Sequence, residues 1–241
     1  MTGSMPERMD VASADDADVF DAADVVDESD VPVLLRPSLR GTLHRWSVPV
    51  AITLTVLLSV RASGAEDRAA ALVYGLGVTA MLASSGVYHS ARFAAGDRRF
   101  LRRLDHSMIL VGISGTYTAV IVLALDGAEQ VVLLAVAWGL AIVGVTIRMR
   151  WLDAPSGLVA AVYLFAGWQM MFDLPAYEAG LTAAELSLLA VGGGLYTVGA
   201  IIYACKRPNP WPAVFGYHEV FHTLVVAAAL CHWVAIWLLA G

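Results

Sequence analysis

The chain has 241 residues, of which 59% are hydrophobic, and its mean hydropathy is +0.69. A soluble domain has about 45–50% apolar residues, so this excess is too large for one buried core and indicates a membrane protein. The net charge of −6 averages two different regions, because residues 1–35 contain ten acids and one base whereas the remainder has 14 bases and 11 acids.

The N-terminal region is acidic and contains Phe20 as its one aromatic residue before residue 36. A segment of this composition cannot bury enough apolar surface to fold alone. It also lacks the basic start and apolar run of a signal peptide. We therefore predict that residues 1–40 form a disordered, solvated tail and that residues 41–241 form the membrane domain.

Seven apolar runs follow the tail, at residues 47–60, 69–91, 105–125, 129–147, 156–174, 184–204 and 214–239. A membrane-spanning helix needs about 20 mostly apolar residues. The backbone of such a segment must satisfy its own hydrogen bonds, and these runs lack the alternation of barrel strands. The sequence therefore predicts an all-α membrane protein with seven transmembrane helices.

The charges of the loops predict the orientation of these helices. One side of the membrane would carry only Arg61 and Arg68, and the other would carry twelve bases: Arg36, Arg40, Arg45, Arg92, Arg98, Arg99, Arg102, Arg103, Arg148, Arg150, Lys206 and Arg207. Cytoplasmic loops have an excess of Lys and Arg. We predict a cytoplasmic N-terminus and, with seven spans, a C-terminus outside.

Ionisable residues inside spans are costly and are therefore functional candidates. His218 and His222 lie four residues apart at the start of the seventh span. This spacing places two imidazoles on one helical face, where they could share a metal ion. The alternative is a pair of packing histidines that are hydrogen-bonded to their neighbours.

A zinc site usually has three protein ligands and an open position in an enzyme. The predicted orientation places the end of the second span, with His89, at the same membrane level as Asp105, His218 and His222. We therefore predict a zinc site formed by the three histidines. Three imidazoles also suit other first-row metal ions.

Asp105 and Ser85 are candidates for the chemistry beside this site. Asp105 begins the third span, where a carboxylate is either stabilised by the helix dipole or takes a proton from an activated water. Ser85 lies four residues before His89. It could orient that histidine, bind a substrate oxygen, or bond its own helix backbone.

The other polar residues within the spans are weaker candidates for the metal site and its chemistry. Glu219 is part of the motif HEVFH, residues 218–222. It could be a general base, a hydrogen-bond partner of a metal ligand, or an interfacial charge. His232 is fourteen residues after His218, about 21 Å along the helix, which is too far to bind the same ion. His44 and His106 are predicted to be interfacial.

Three blocks of the sequence resemble the hemolysin III family, within the wider progestin and adiponectin receptor group. They are SGVYHS at 85–90, LRRLDHSMILVGISGTYTA at 101–119 and GYHEVFHTLVVAAALCHWVAI at 216–236. The resemblance covers about residues 40–240. It implies a cytoplasmic zinc ion held by His89, His218 and His222, with a water near Asp105 and Ser85, and hydrolysis of lipid amides. The receptors of this group resemble ceramidases, but they lack a glutamate between the two histidines of the last block.

Three functions are consistent with these residues. The first is a zinc-dependent hydrolase of an amide or ester bond in a membrane lipid, with Asp105 and Ser85 as its catalytic residues. The second is a non-enzymatic receptor or lytic protein with a structural zinc. The third is an intramembrane metalloprotease, but the L-D-G sequence at 125–127 precedes HEVFH and lies on the opposite side.

The predicted partners of the protein are the lipid bilayer and a membrane lipid as substrate. We expect no binding of nucleic acid. One Lys against fourteen Arg and a richness in Ala, Val and Gly suggest a bacterium with a GC-rich genome. We therefore expect a multi-pass protein of the bacterial plasma membrane.

Overall fold

The structure is a computed structural model that describes residues 37–90 and 95–241. The predicted tail therefore lies outside the described residues, apart from positions 37–40. The helices are α1 (Thr42–Arg61), α2 (Ala65–Ser90), α3 (Ala95–Ala124), α4 (Gly127–Arg150), α5 (Ser156–Gly167), α6 (Leu174–Gly180), α7 (Ala183–Cys205) and α8 (Tyr217–Leu239), with a 3₁₀ helix at Gln169–Asp173 between α5 and α6.

Six of these helices, α1 to α4, α7 and α8, are long and apolar enough to cross a membrane. They coincide with six of the seven predicted spans, so the all-helical, multi-span architecture is confirmed. The sidedness of the bundle stays a prediction.

The fifth predicted span differs from the expectation of one helix over 156–174. It is a pair of helical pieces, Gly157–Gly167 and Gln169–Gly180, bent by 41° at the break, and the bundle has seven spans if this pair counts as one. Proline lies in the first turn of α6, where its missing N–H is no loss and its ring ends any continuing helix.

The break is stabilised by a residue from another helix. The Tyr117 hydroxyl in α3 donates to the Gly167 carbonyl at 2.7 Å and accepts from the Met170 N–H at 3.1 Å. Backbone groups that leave a helix inside a membrane need such partners. Tyr117 therefore makes the interruption tolerable within the bundle.

Close packing of α2 on α3 depends on glycine. A Cβ atom on Gly77 would lie 3.1 Å from the Val111 carbonyl oxygen, and one on Gly115 would lie 3.0 Å from the Val73 carbonyl oxygen. Small residues allow membrane helices to approach in this way. The contact holds the first half of α2 against the second half of α3.

The segment before α1 is joined to the loop before α8. Ser38 N–H donates to the Ala213 carbonyl at 3.0 Å, and Leu39 N–H donates to the Val214 carbonyl at 3.3 Å. The chain then turns into α1 through Gly41, whose φ of +73° lies in the left-handed region that favours glycine. These contacts bring the starts of α1 and α8 to one end of the bundle.

Candidate metal centre

Three histidines meet where the end of α2 approaches the start of α8. The ligand nitrogens of His89, His218 and His222 all lie within 4.8 Å of one another. His89 Nε2 and His218 Nε2 are 3.2 Å apart. His218 and His222 are each only 3% exposed. The cluster therefore forms a buried, nitrogen-rich group of a size that could hold a metal ion.

One nitrogen–nitrogen distance in the cluster fits the spacing of two ligands on tetrahedral zinc. With Zn–N bonds of about 2.0–2.1 Å, two nitrogen ligands of a tetrahedral ion are separated by about 3.3 Å. The 3.2 Å between His89 and His218 matches this separation. The donor set of three imidazoles also suits zinc and leaves a fourth position for a small ligand.

Asp105 lies at the edge of the histidine cluster. Its Oδ2 atom is 3.6 Å from His89 Nε2, and the residue is 6% exposed. Both groups are in low-dielectric surroundings, where their electrostatic attraction is stronger than in water. The structure therefore places a carboxylate beside His89, ten residues after the start of α3 and not at its first turn as predicted.

Ser85 is buried in α2 one turn before His89, with 4% exposure. Residues four apart on a helix share a face, so Ser85 and His89 lie on the same side of α2. The next residue, Gly86, lets α1 approach this face, because a Cβ atom there would lie 3.0 Å from the Arg45 nitrogen.

Glu219 contacts a different set of groups. Its Oε1 atom is 2.5 Å from Arg40 Nε, and its Oε2 atom accepts from the Gly216 N–H at 2.8 Å. Both oxygens of the carboxylate are thus engaged at the first turn of α8. Glu219, the second residue of HEVFH, therefore joins this helix to the segment before α1.

The prediction that His44 is interfacial was wrong. The residue is 3% exposed, and its ring stacks on that of His222 with a centroid distance of 3.8 Å and an interplanar angle of 6°. Its position among the arginines that precede the first apolar run suggested the membrane surface. The backbone pairing of Ser38 and Leu39 with the loop before α8 draws it inward instead.

The remaining two histidines lie outside the cluster. His106 is half-buried, and its Nδ1 atom contacts the guanidinium of Arg148 in α4, so it is not a simple interfacial residue. His232 Nε2 donates to the Leu189 carbonyl at 3.3 Å. Among the described residues, the group of potential metal ligands contains neither of them.

Comparison with known proteins identifies the family. The model of the family described as "Haemolysin-III related" matches residues 33–233. The chain belongs to this family. Its match begins ahead of the first apolar run, so it includes the segment that carries Arg40 and His44, which the three resembling blocks did not reach.

Individual relatives agree with this assignment. The chain is 30% identical over 183 residues to a hemolysin-3 homolog of Bacillus subtilis (strain 168), covering 76% of this chain and 82% of the relative. It is 31% identical over 184 residues to hemolysin-3 of Bacillus cereus, covering 76% and 80%. An adiponectin receptor protein of Drosophila melanogaster is 33% identical over 85 residues, which are 32% of this chain and 17% of the receptor. The family thus lies in the progestin and adiponectin receptor superfamily.

Proposed function

We propose that this protein is a zinc-dependent hydrolase that cleaves an amide or ester bond of a membrane lipid. The observation that carries the proposal is the group of three imidazoles with a carboxylate oxygen 3.6 Å from one of them. Three histidines with an open fourth position are the ligand set of hydrolytic zinc sites. A structural zinc site would instead use four protein ligands.

His89, His218 and His222 would hold the ion between α2 and α8. When bound, zinc supplies a Lewis acid that polarises a carbonyl group and makes water reactive near neutral pH. Asp105 would accept the proton of the attacking water and deliver it to the leaving amine or alcohol, as a general base and then a general acid. Ser85 would donate a hydrogen bond from its hydroxyl group to a substrate oxygen.

A membrane lipid suits the position of the site. The histidines lie at the ends of membrane-spanning helices, where the bonds that join acyl chains to a polar head are found. In the predicted orientation this is the cytoplasmic end of the bundle in a bacterial plasma membrane. An amphipathic substrate could enter the site without leaving the bilayer.

Hydrolysis is tested with purified protein and a panel of lipids in mixed micelles: ceramide, other N-acyl lipids, and ester-linked phospholipids. Release of fatty acid is measured by mass spectrometry. We expect wild-type turnover on an amide or ester lipid and a loss of about 10²–10⁴-fold in Asp105→Asn, with the metal content unchanged.

The matched control for this test is Asp153→Asn, because the Asp153 side chain is 77% exposed and pairs only loosely with Arg102 at 3.4 Å. Its turnover should equal that of wild type. Zinc bound at full stoichiometry with no turnover on any lipid would overturn the hydrolase and favour a receptor, in line with the similarity to an adiponectin receptor protein.

The contacts of Glu219 argue against a metalloprotease of the HExxH type. In those enzymes the glutamate acts as the base at the metal. Here both of its oxygens are bound by Arg40 and by the Gly216 N–H. The proton-transfer role therefore falls to Asp105.

A further inference from the structure

The loop between α7 and α8, residues 206–216, presents large apolar side chains to its surroundings. Trp211 is 67% exposed and Val214 is 45% exposed. Trp211 lies six residues after Cys205, where α7 ends, and six before Tyr217, where α8 begins. The apolar face of neither spanning helix therefore accounts for the exposure of this tryptophan.

Hydrogen bonds and prolines hold this loop in one shape. The Trp211 carbonyl accepts from the Val214 N–H at 2.8 Å and from the Phe215 N–H at 2.7 Å. The Asn209 Oδ1 atom accepts from the Tyr217 N–H at 2.9 Å, which joins the loop to the first turn of α8. Three prolines fix the backbone φ angle: Pro208, Pro210 and Pro212. A side chain on a loop ordered in this way loses little conformational entropy when it binds a partner.

The exposed surface of the loop continues onto α1. Leu39, which is 42% exposed, donates its N–H to the Val214 carbonyl at 3.3 Å. Within α1 the exposed apolar residues Leu43, Trp46 and Val50 follow a spacing of three and four positions, which places them on one face. Because α1 is long and apolar enough to cross a membrane, this face meets lipid. The loop thus extends a surface that already contacts the bilayer.

The charges around this surface are of one sign. Residues 37–50 and 206–216 contain four bases and no acid. Two of these bases, Arg45 and Arg207, are exposed, and no carboxylate pairs with either of them in the described part of the chain. A base near a membrane surface enriches anionic lipid by about fivefold. The surface is therefore complementary to an anionic headgroup.

We propose that the α7–α8 loop docks on the membrane through anionic phospholipid, with Trp211 at the level of the headgroups and Arg45 and Arg207 in contact with phosphate. Tryptophan suits this level because its ring is apolar and its N–H group is polar. Since the loop is bonded to Tyr217, the docked loop also holds the start of α8, with His218, at a fixed depth in the bilayer.

The test is quenching of Trp211 by lipids with brominated acyl chains in nanodiscs. The protein is reconstituted with brominated phosphatidylglycerol or brominated phosphatidylcholine at the same mole fraction. The signal of Trp211 is the difference between wild type and Trp211→Phe. We expect phosphatidylglycerol to quench this signal about two- to fivefold more than phosphatidylcholine, and the excess should shrink at about 0.5 M salt.

The bases are tested by the double variant Arg45→Gln with Arg207→Gln, prepared with and without Trp211→Phe. It should lose the excess quenching by phosphatidylglycerol and keep the quenching by phosphatidylcholine. The matched control is Arg150→Gln at the end of α4, because Arg150 is likewise exposed. In this variant the excess at Trp211 should equal that of wild type.

Several results would overturn the proposal. Equal quenching of Trp211 by the two lipids would remove the role of anionic headgroups, and an excess that survives in the double variant would remove the role of the two arginines. Quenching by neither lipid would place the loop outside the bilayer. Aqueous acrylamide then identifies the surroundings, because it quenches a tryptophan in water but not one covered by a second copy of the chain.

Discussion

The two ends of α8 contain histidines in contrasting surroundings. Near its end, His232 donates Nε2–H to the Leu189 carbonyl at 3.3 Å and its ring faces Tyr196 with centroids 5.6 Å apart. Near its start, His218 and His222 have the nitrogens of another histidine as their neighbours. A histidine that bonds a backbone carbonyl is a packing residue. A group of histidines whose nitrogens converge on one another could hold a metal ion.

The largest expected effect is on metal content, and it separates the two ends of the helix. In His218→Ala one of three ligands is lost, and the zinc affinity should fall by more than about 100-fold, since even losses of outer partners cost about 10–100-fold. His232→Ala should retain zinc at the wild-type stoichiometry. Both are measured by elemental analysis after dialysis against a weak chelator. Equal zinc content in the two variants would remove the distinction between the two ends.

The second effect tests whether Glu219 has a structural role or acts as the general base. Glu219→Gln weakens the ion pair with Arg40. This pair is buried, because the Arg40 side chain is 8% exposed and the Glu219 side chain is 5% exposed. Breaking a buried pair costs about 3–5 kcal/mol, so the Tm should fall clearly while turnover per bound zinc stays within about threefold of wild type. A general base would instead be worth about 10²–10⁴-fold in turnover.

The control for Glu219 is Glu185→Gln in α7. Glu185 likewise occupies the third helical position and accepts from the N-terminal backbone, at 2.7 Å from Thr182 N. Because no ion pair of Glu185 is found among the described residues, its variant should lose less stability, about 1 kcal/mol. A larger loss for Glu185→Gln than for Glu219→Gln would show that the Arg40 pair is unimportant.

The sequence predicted the candidate site better than it predicted two features of the fold. Loop charges and helix periodicity are local, and together they placed His89, Asp105, His218 and His222 at one end of the bundle. The break after Gly167 depends on the Tyr117 hydroxyl from another helix. A continuous apolar run contains no sign of that partner.

The location of His44 was missed for a similar reason. It depends on backbone pairing between residues about 175 positions apart, Ser38 with Ala213 and Leu39 with Val214. In the sequence, the same residue lies among arginines, which are typical of the membrane surface. Long-range contacts of this kind cannot be read from local composition.

The smallest expected effect concerns the packing of His232. A Cβ atom on Gly192 would collide with its ring, whereas within the described chain a Cβ atom on Gly194 would meet no atom within 4 Å. Overpacking costs about 1–3 kcal/mol. Gly192→Ala should therefore lower the Tm by a few degrees with full zinc content, and Gly194→Ala should leave both unchanged. Loss of zinc in Gly192→Ala would mean that the two ends of α8 are coupled.

X-ray absorption at the zinc edge of the purified wild-type protein tests the metal centre most directly. The proposed zinc site predicts a first shell of nitrogen and oxygen atoms at about 2.0–2.1 Å, with the outer-shell scattering of three imidazoles. The two cysteines, Cys205 and Cys231, are free thiols outside the histidine group. Sulfur scattering at about 2.3 Å, or a signal from fewer than three imidazoles, would contradict a zinc site formed by His89, His218 and His222.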